Sequence, residues 1–303
     1  MIMKNVNVDK EDQLVAYNDE KHKYWVKGSN DACISVTTLI EKFAQPFDED
    51  FWSSVKALEI LLGDKFNEIK KEIYRTNRIN SNYFNIYGIS KDKFIEQKQI
   101  ILDNWKKVNK EACERGTAIH KMHEIATLGG TSEIVREFGG GGKYQPNTTN
   151  VIKFGEIASY PEVLLHYISN DNELRLAGQA DLVLINEDEV QILDFKTNKE
   201  IKKSSHFNTV TKKHKMMKYP LNNLMDSNYW HYAMQLSTYA WMIQQIDNRF
   251  NIKTLNLIHY DHNNKRTIYP VPYLKKEVEA MLKEYKRSLK TQELYNKIKP
   301  FSY

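Results

Sequence analysis

The chain has 303 residues, 41% apolar and 27% charged, enough for one large domain or two modest ones with a sizeable core. No stretch approaches the ~20 apolar residues needed to span a bilayer, and the N-terminus MIMKNVNVDKEDQ has no apolar signal core, so a cytoplasmic protein is expected rather than a membrane or secreted one. The two cysteines, Cys33 and Cys113, lie too far apart for a metal-ligand motif and too few for a disulfide framework, which fits a reducing compartment; net charge is only +5.

In chain order, residues 13–26 (QLVAYNDEKHKYWV) predict a hairpin around Asn18-Asp19-Glu20. Ser35-Val36-Thr37-Thr38 then leads into LIEKF, with a hydroxyl placed to cap a short helix, and Asp48 caps a second helix running to about Leu62. Residues 64–108 are charged and helical in character, interrupted by RINSNYFNIYG, with Phe94, Ile95, Ile101, Leu102 and Trp105 near helical spacing as a core stripe. Glu111 to Leu128 predicts a further helix in which Gly116 marks a close backbone approach and His120 and Glu124 share a face. The run Phe138 to Gly142 and the polar piece to Asn150 read as a mobile loop.

Residues 160–168 predict a strand carrying Glu162 near its start. LRLAGQADLVLINEDEVQILDFKTNK then reads as two strands joined by Asn186-Glu187-Asp188-Glu189, giving an antiparallel meander of three. Asp194 and Lys196 point to one face of their strand while Leu193 and Phe195 point to the other. Asp181, Asp194 and Lys196 are charges set in apolar strands, which is costly unless they are paired or hold a metal. A plain Lys196–Asp194 salt bridge and a functional site both satisfy that requirement.

From Lys196 to Lys218 there are eight lysines and one acid, Glu200, a local balance of +7 that leaves about −2 for the rest of the chain. Either a solvated loop or a polyanion-binding segment fits, and adjacency to the charged strand favours the second. Asp226 to Gln245 predicts a helix placing Gln235 and Tyr239 on one face, residues 253–260 and 266–270 a hairpin around Asp261 to Asn264, and the tail from Tyr273 to Ile298 amphipathic helices.

RGTAIH, GQAD, LDFKT and QLSTY, in that order and with the two aspartates thirteen residues apart, resemble the motifs of the PD-(D/E)XK nuclease superfamily. They are most similar to its RecB-like exonuclease branch, and SVTTLIEKF resembles the beginning of phage and viral members. The resemblance implies one α/β domain with a mixed sheet, a restriction-endonuclease-like αβββαβ core at 111–270, an N-terminal elaboration at 1–110 and C-terminal helices at 271–303. It implies a metal-dependent DNA nuclease, most simply an exonuclease on linear DNA in recombination, replication or genome processing. A structure-specific or nicking endonuclease with the same residues is one alternative, and a non-cleaving DNA-binding scaffold is another.

Carried onto this chain, the resemblance makes His120, Asp181, Asp194 and the Phe195 carbonyl ligands of Mg²⁺ or Mn²⁺, with Glu162 on a second metal. Lys196 orients or deprotonates the attacking water and steadies the developing phosphorane charge, and held beside the metal it would have a lowered pKa and act as a base at neutral pH; Gln235 and Tyr239 line the site and meet the DNA strand. Glu124 is either a support for His120 or a surface residue. Lys199, Lys202, Lys203, Lys212, Lys213 and Lys215, with His206, His214 and Tyr219, form a strand-guiding surface for DNA. Two cysteines cannot supply the iron–sulfur cluster of some relatives, and with no GxxxxGK[ST] loop present, work on duplex DNA is expected to use ends, a partner helicase or an oligomeric clamp, a single-strand-binding or recombination protein being a further expected partner.

Overall fold

Strand and helix positions follow from hydrophobic period, with caps where short polar side chains can close the first turn. In a computed structural model, which describes residues 15–18, 23–26, 31–144, 152–208 and 212–298, the order is β1 (Val15–Asn18), β2 (Lys23–Val26), β3 (Ala32–Ser35), α1 (Val36–Phe43), α2 (Glu49–Leu62), α3 (Phe66–Thr76), α4 (Asn82–Ile86), α5 (Lys91–Leu128) and α6 (Glu133–Glu137). Then come β4 (Lys143–Tyr144), β5 (Glu156–Ile168), β6 (Arg175–Glu187), β7 (Glu189–Lys196), β8 (Phe207–Asn208), β9 (Lys213–His214), α7 (Asn228–Ile246), β10 (Asn251–Tyr260), β11 (Arg266–Val271) and α8 (Lys275–Ile298).

The caps form as expected: the Ser35 hydroxyl accepts from Thr38 N–H at 3.0 Å and the Asp48 carboxylate from Phe51 N–H at 2.9 Å. β1 and β2 pair antiparallel, while the expected turn residues 19 and 20 lie outside the described residues. The expected meander is present: β5 pairs antiparallel with β6, and β6 with β7. β7 then pairs parallel with β10, which a short turn cannot connect, and α7 supplies the crossover before the β10–β11 hairpin. The sequence α5, β5, β6, β7, α7, β10 is the αβββαβ order.

The sheet buries both faces. One carries the larger core, including Val36, Leu165, Ile185, Ile192, Ala233, Leu236, Ala240, Leu257 and Val278. The other packs Leu182, Leu184, Leu193, Phe195 and Ile258 against Ile134 and Val135 of α6, with Ile119 of α5. By internal contacts the chain divides into two compact units, one of residues 1–45, 116–207 and 214–303, the other of residues 46–115 and 208–213. The second has its own small core of Val55, Leu58, Phe66, Ile69, Ile73 and Tyr83.

Three local expectations change. The helices expected before and after residue 110 are one 38-residue helix, α5, and on it Ile95 is 63% exposed, so it does not belong to a core stripe. The tail is a single helix, α8, rather than several. The glycine run is irregular as expected through Gly142, but the loop is anchored: Lys143 and Tyr144 form β4 and pair with β5, and Gly142, at φ +77°, lies so close to the Ile157 carbonyl that a Cβ would sit 1.8 Å from its oxygen. Residues 145–150 of that expected loop lie outside the described residues.

Candidate active site

Register alone brings the acids together. In the β5–β6 ladder Pro161 pairs with Leu182 and Val163 with Ala180, which sets Glu162 opposite Asp181. In the β6–β7 ladder the last pair is Leu182 with Leu193, so Asp181 and Asp194 are the next positions, where the two strands part. Three carboxylates therefore stand in one row across three strands, an arrangement that is destabilising for like charges unless something of opposite sign joins them.

The strands are irregular at that row. Tyr160 and Val163 both face the larger core although three residues apart, as do Ala180 and Val183, so the alternation slips by one on each strand beside the acids. Glu162 absorbs the slip with a left-handed backbone, φ 49°, which a non-glycine residue in a strand adopts only under constraint. That strain is illegible in the sequence, where PEVLLHYI reads as ordinary strand.

α5 supplies the histidine. His120 Nδ1 is 3.4 Å from both Glu162 Oε1 and Asp181 Oδ1, and its Nε2 lies 3.1 Å from the Phe195 carbonyl. Phe195 donates its backbone N–H to Asp181 Oδ2 at 2.6 Å, so one peptide of β7 is tied to both a histidine and an acid. His123, one turn further along α5, stacks on the Phe195 ring at 4.0 Å between centroids. Gly116 faces Thr197, where an added Cβ would make an ordinary 3.4 Å contact, a milder approach than expected. Glu124 accepts an ion pair from Lys121 at 2.9 Å.

On the α7 side, Asp194 is 1% exposed. Its Oδ2 meets the Lys196 ammonium at 2.5 Å, an ion pair whose angles fall short of a hydrogen bond, and Oδ1 has no hydrogen-bond partner among the described residues. The ammonium also lies 4.7 Å from the centroid of the Tyr232 ring, a contact that sequence reading missed although Tyr232 sits one turn before Gln235. Gln235 donates to the Tyr239 hydroxyl at 3.3 Å, and both are buried. Gly178 makes room for that tyrosine: a Cβ there would stand 2.7 Å from Tyr239 Cε1, which is the physical reason for glycine at the head of GQAD. Gln179, also missed, donates to Glu162 Oε2 at 2.7 Å.

The electrostatics are those of a crowded acidic centre. Burial and the neighbouring Asp194 carboxylate raise Asp181 well above the usual carboxylate range. For His120 burial acts downward, but Asp181 and Glu162 outweigh it and hold the imidazole at about 9. For Lys196 burial likewise acts downward, and Asp194 and Asp181 overcome it, so the ammonium is held above its ordinary range. With no metal ion beside it, Lys196 is thus a cation among these side chains.

The donor set fits a divalent ion. His120, Glu162 and Asp181 each offer a ligand atom within 4.8 Å of the others, and Asp194 has an unsatisfied buried oxygen, while the Phe195 carbonyl lies against His120 Nε2 rather than the Nδ1 that faces the acids. Carboxylate and carbonyl oxygens with one imidazole suit a hard or borderline cation, which would also neutralise the row of acids.

The basic segment is exposed and partly tied down. Lys199, Lys202, Lys203, Lys212, Lys213 and Lys215 are all exposed. Lys202 pairs with Glu200 at 2.8 Å, Lys203 lies over the Tyr229 ring, and Lys215 pairs with the buried Asp226 at 3.3 Å, which also holds His231 at 2.7 Å. His206 and His214 belong to this segment, with His214 Nδ1 3.1 Å from the Ser205 carbonyl. Among the described residues no helix is long and apolar enough to cross a membrane.

Two solved structures resemble the chain distantly. One is the protein SSO0001, 17% identical with TM-score 0.30, covering 62% of this chain and 67% of that one. The other is a protein from Eubacterium rectale described as a candidate exonuclease, 14% identical with TM-score 0.30, covering 81% of this chain and 85% of that one. At those values neither carries a functional argument, and no curated protein matches significantly. The family model of the PD-(D/E)XK nuclease superfamily matches residues 130–299, which includes Glu162, Asp181, Asp194, Lys196, Gln235 and Tyr239 and leaves His120 to be judged on geometry. That span is more than half of the chain, and with the αβββαβ order and the acids in register it makes this chain a member of the PD-(D/E)XK nuclease superfamily.

Proposed function

We propose that the protein is a divalent-metal-dependent deoxyribonuclease, working as an exonuclease on linear DNA. The observation that carries the nuclease reading is the row Glu162–Asp181–Asp194 closed by His120 on one side and Lys196 on the other. A binding scaffold gains nothing from such a cluster, because unneutralised buried carboxylates cost stability. The exonuclease mode and the RecB-like, phage-type branch rest on the order and spacing of RGTAIH, GQAD, LDFKT and QLSTY.

His120, Asp181, Asp194 and the Phe195 carbonyl would hold the cation, Mg²⁺ or Mn²⁺, with Glu162 on the same or a second ion. When bound, it supplies Lewis acidity that lowers the pKa of water and draws charge from a scissile phosphate. The chain's own groups do the rest. Lys196, set beside Asp194, stabilises negative charge developing on the phosphate and orients or deprotonates the attacking water. Gln235 and Tyr239 support the α7 wall that Lys196 faces. Lys199, Lys202, Lys203, Lys212, Lys213 and Lys215 offer phosphate contacts, so DNA affinity falls as salt rises. A cytoplasmic setting is the reading taken from the sequence, and a helicase, single-strand-binding or recombination protein is the natural partner for strand supply.

The test is digestion of end-labelled linear DNA beside covalently closed circles, with Mg²⁺, Mn²⁺ or EDTA, repeated with Lys196→Ala. Loss of linear DNA alone, requiring both metal and Lys196, supports the exonuclease. Cutting of circles replaces it with an endonuclease, and binding without cleavage under every condition refutes the enzyme.

A further inference from the structure

β7 loses one of its two strand partners where the chemistry begins. Its ladder with β6 ends at the Leu182–Leu193 pair, and beyond it the Phe195 amide and carbonyl turn to Asp181 and His120 instead. Asp194, Phe195 and Lys196 therefore keep a partner strand on β10 alone, through Leu257, Ile258 and His259. Lys196 is the last residue of β7, and its rung with His259 is the last of that ladder. An element end held from one side is where local fraying starts, unless something beyond the last rung ties it.

His259 provides such a tie. Side chains alternate along a strand, so His259 shares the larger-core face of β10 with Leu255 and Leu257, and it is 4% exposed. Its Nε2 lies 2.6 Å from the Asn198 carbonyl, two residues past Lys196. A carbonyl only accepts, so Nε2 carries the proton and donates it. The Tyr269 ring of β11 meets the imidazole edge-on, with centroids 6.1 Å apart. Asn198 in turn donates its side-chain amide to the Glu200 carbonyl, which also accepts from Asn228 Nδ2 at 2.7 Å. Asn228 lies one turn before Tyr232 on α7, so the network that fixes the chain after Lys196 runs to the helix turn that sets the ring over its ammonium. Leucine would fill the same apolar surroundings without burying a polar group. What the imidazole adds is a donor that reaches Asn198.

We propose that His259 is a positioning residue for Lys196: its bond to Asn198 holds the end of β7 so that the ammonium stays between Asp194 and the Tyr232 ring. This deepens the nuclease reading and rests on it for what Lys196 does, though not for where Lys196 is held.

The experiment compares the full chain with His259→Gln, His259→Leu and His259→Asn. His259→Gln keeps an amide donor near the reach of Nε2, His259→Leu fills the space with no donor, and His259→Asn keeps a donor too short for Asn198. Lysines are labelled with carbon-13 at Cε, and the Lys196 signal, assigned by its loss in Lys196→Arg, is read in EDTA. The ring current of Tyr232 is expected to displace its protons upfield in the parent and in His259→Gln. In His259→Leu and His259→Asn the signal should return toward that of exposed lysines. Cleavage of linear duplex DNA with Mn²⁺ is followed alongside. There kcat is expected to fall about 10- to 100-fold in His259→Leu and His259→Asn, the scale of a displacement by ~1 Å, with KM unchanged. His259→Gln should cleave as the parent does. An unmoved signal in His259→Leu and His259→Asn overturns the proposal, as does a parent signal with no upfield displacement or a His259→Gln as disturbed as His259→Leu. A lower Tm with signal and kcat kept, or failure of both His259→Leu and His259→Asn to fold, makes the contact structural and also overturns it. A parent that cleaves no DNA while the signal moves as expected keeps the placement of Lys196 and refutes the nuclease.

Discussion

Replacing Asp181 with asparagine separates a metal centre from a structural ion-pair network. Asparagine keeps an oxygen for the Phe195 N–H, which Asp181 accepts at 2.6 Å, while removing one of three aligned negative charges. The ligand atoms of Glu162 and Asp181 are at most 4.8 Å apart, a repulsion of about 3 kcal/mol or more at an effective dielectric of 20. His120 at 3.4 Å returns about 5 kcal/mol of attraction when protonated. Repulsion from Asp194 and burial turn the balance against the charge, as the raised pKa of Asp181 indicates. The metal-free variant is therefore expected to be more stable than the parent by about 1–2 kcal/mol, a rise of several degrees in Tm for a domain of this size.

With metal the order is expected to invert. The parent gains about 2.7 kcal/mol at a hundredfold excess over Kd, and the variant gains little and cleaves nothing. The pH dependence has a fixed sign. Asp181 and His120 both have folded values raised above their unfolded ones, His120 to about 9, so the native state holds extra protons and the stability they confer below the unfolded values is lost as pH rises through the folded ones. Between about pH 6.5 and 9 the metal-free parent should lose stability more steeply than Asp181→Asn. Thermal unfolding in EDTA and in Mn²⁺ across that range decides it. A variant less stable than the parent in EDTA, with a parent indifferent to metal, would mean that the acids are there to hold the fold.

Lys196→Met strips the counter-ion from a carboxylate that is 1% exposed, so urea unfolding in EDTA should show a loss of about 3–5 kcal/mol, recovered in part by Mn²⁺, with DNA cleavage abolished in either case. Tyr232→Phe should keep kcat because the ring stays over the ammonium, whereas Tyr232→Leu should lower it about 2- to 30-fold, corresponding to ~0.5–2 kcal/mol of cation–π attraction; equal activities would show that the ring does not position Lys196. Gly178→Ala drives a methyl to 2.7 Å from the Tyr239 ring and should cost about 1–3 kcal/mol by chemical denaturation; adding Tyr239→Leu should relieve most of that cost, so strictly additive penalties would refute the clash.

Much of the fold is decided by local pattern. Alternating apolar residues at 175–187 and 189–196 around an acidic turn can only be a hairpin, and Ser35 and Asp48 begin their helices because a short side chain reaches the third amide onward. Where local pattern is silent the reading failed: nothing in residues 91–128 marks continuity, since helix propensity does not distinguish one long helix from two; the glycines were legible as a loop, but not the close approach of Gly142 to Ile157 that holds it.

The sequence by itself determined which residues carry chemistry, because charges embedded in apolar strands need a compensating partner wherever they end up: Asp181, Asp194 and Lys196 were conspicuous for that reason alone. Only the tertiary structure decided how they are compensated. Strand register set Glu162 opposite Asp181, α5 delivered His120 between them, and the packing of α7 put Tyr232 over Lys196 and Tyr239 against Gly178. Those contacts join residues up to 75 positions apart in the chain, as His120 and Phe195 are. Their distances, and the direction in which Lys196 titrates, come from a sum over neighbours that no local stretch contains.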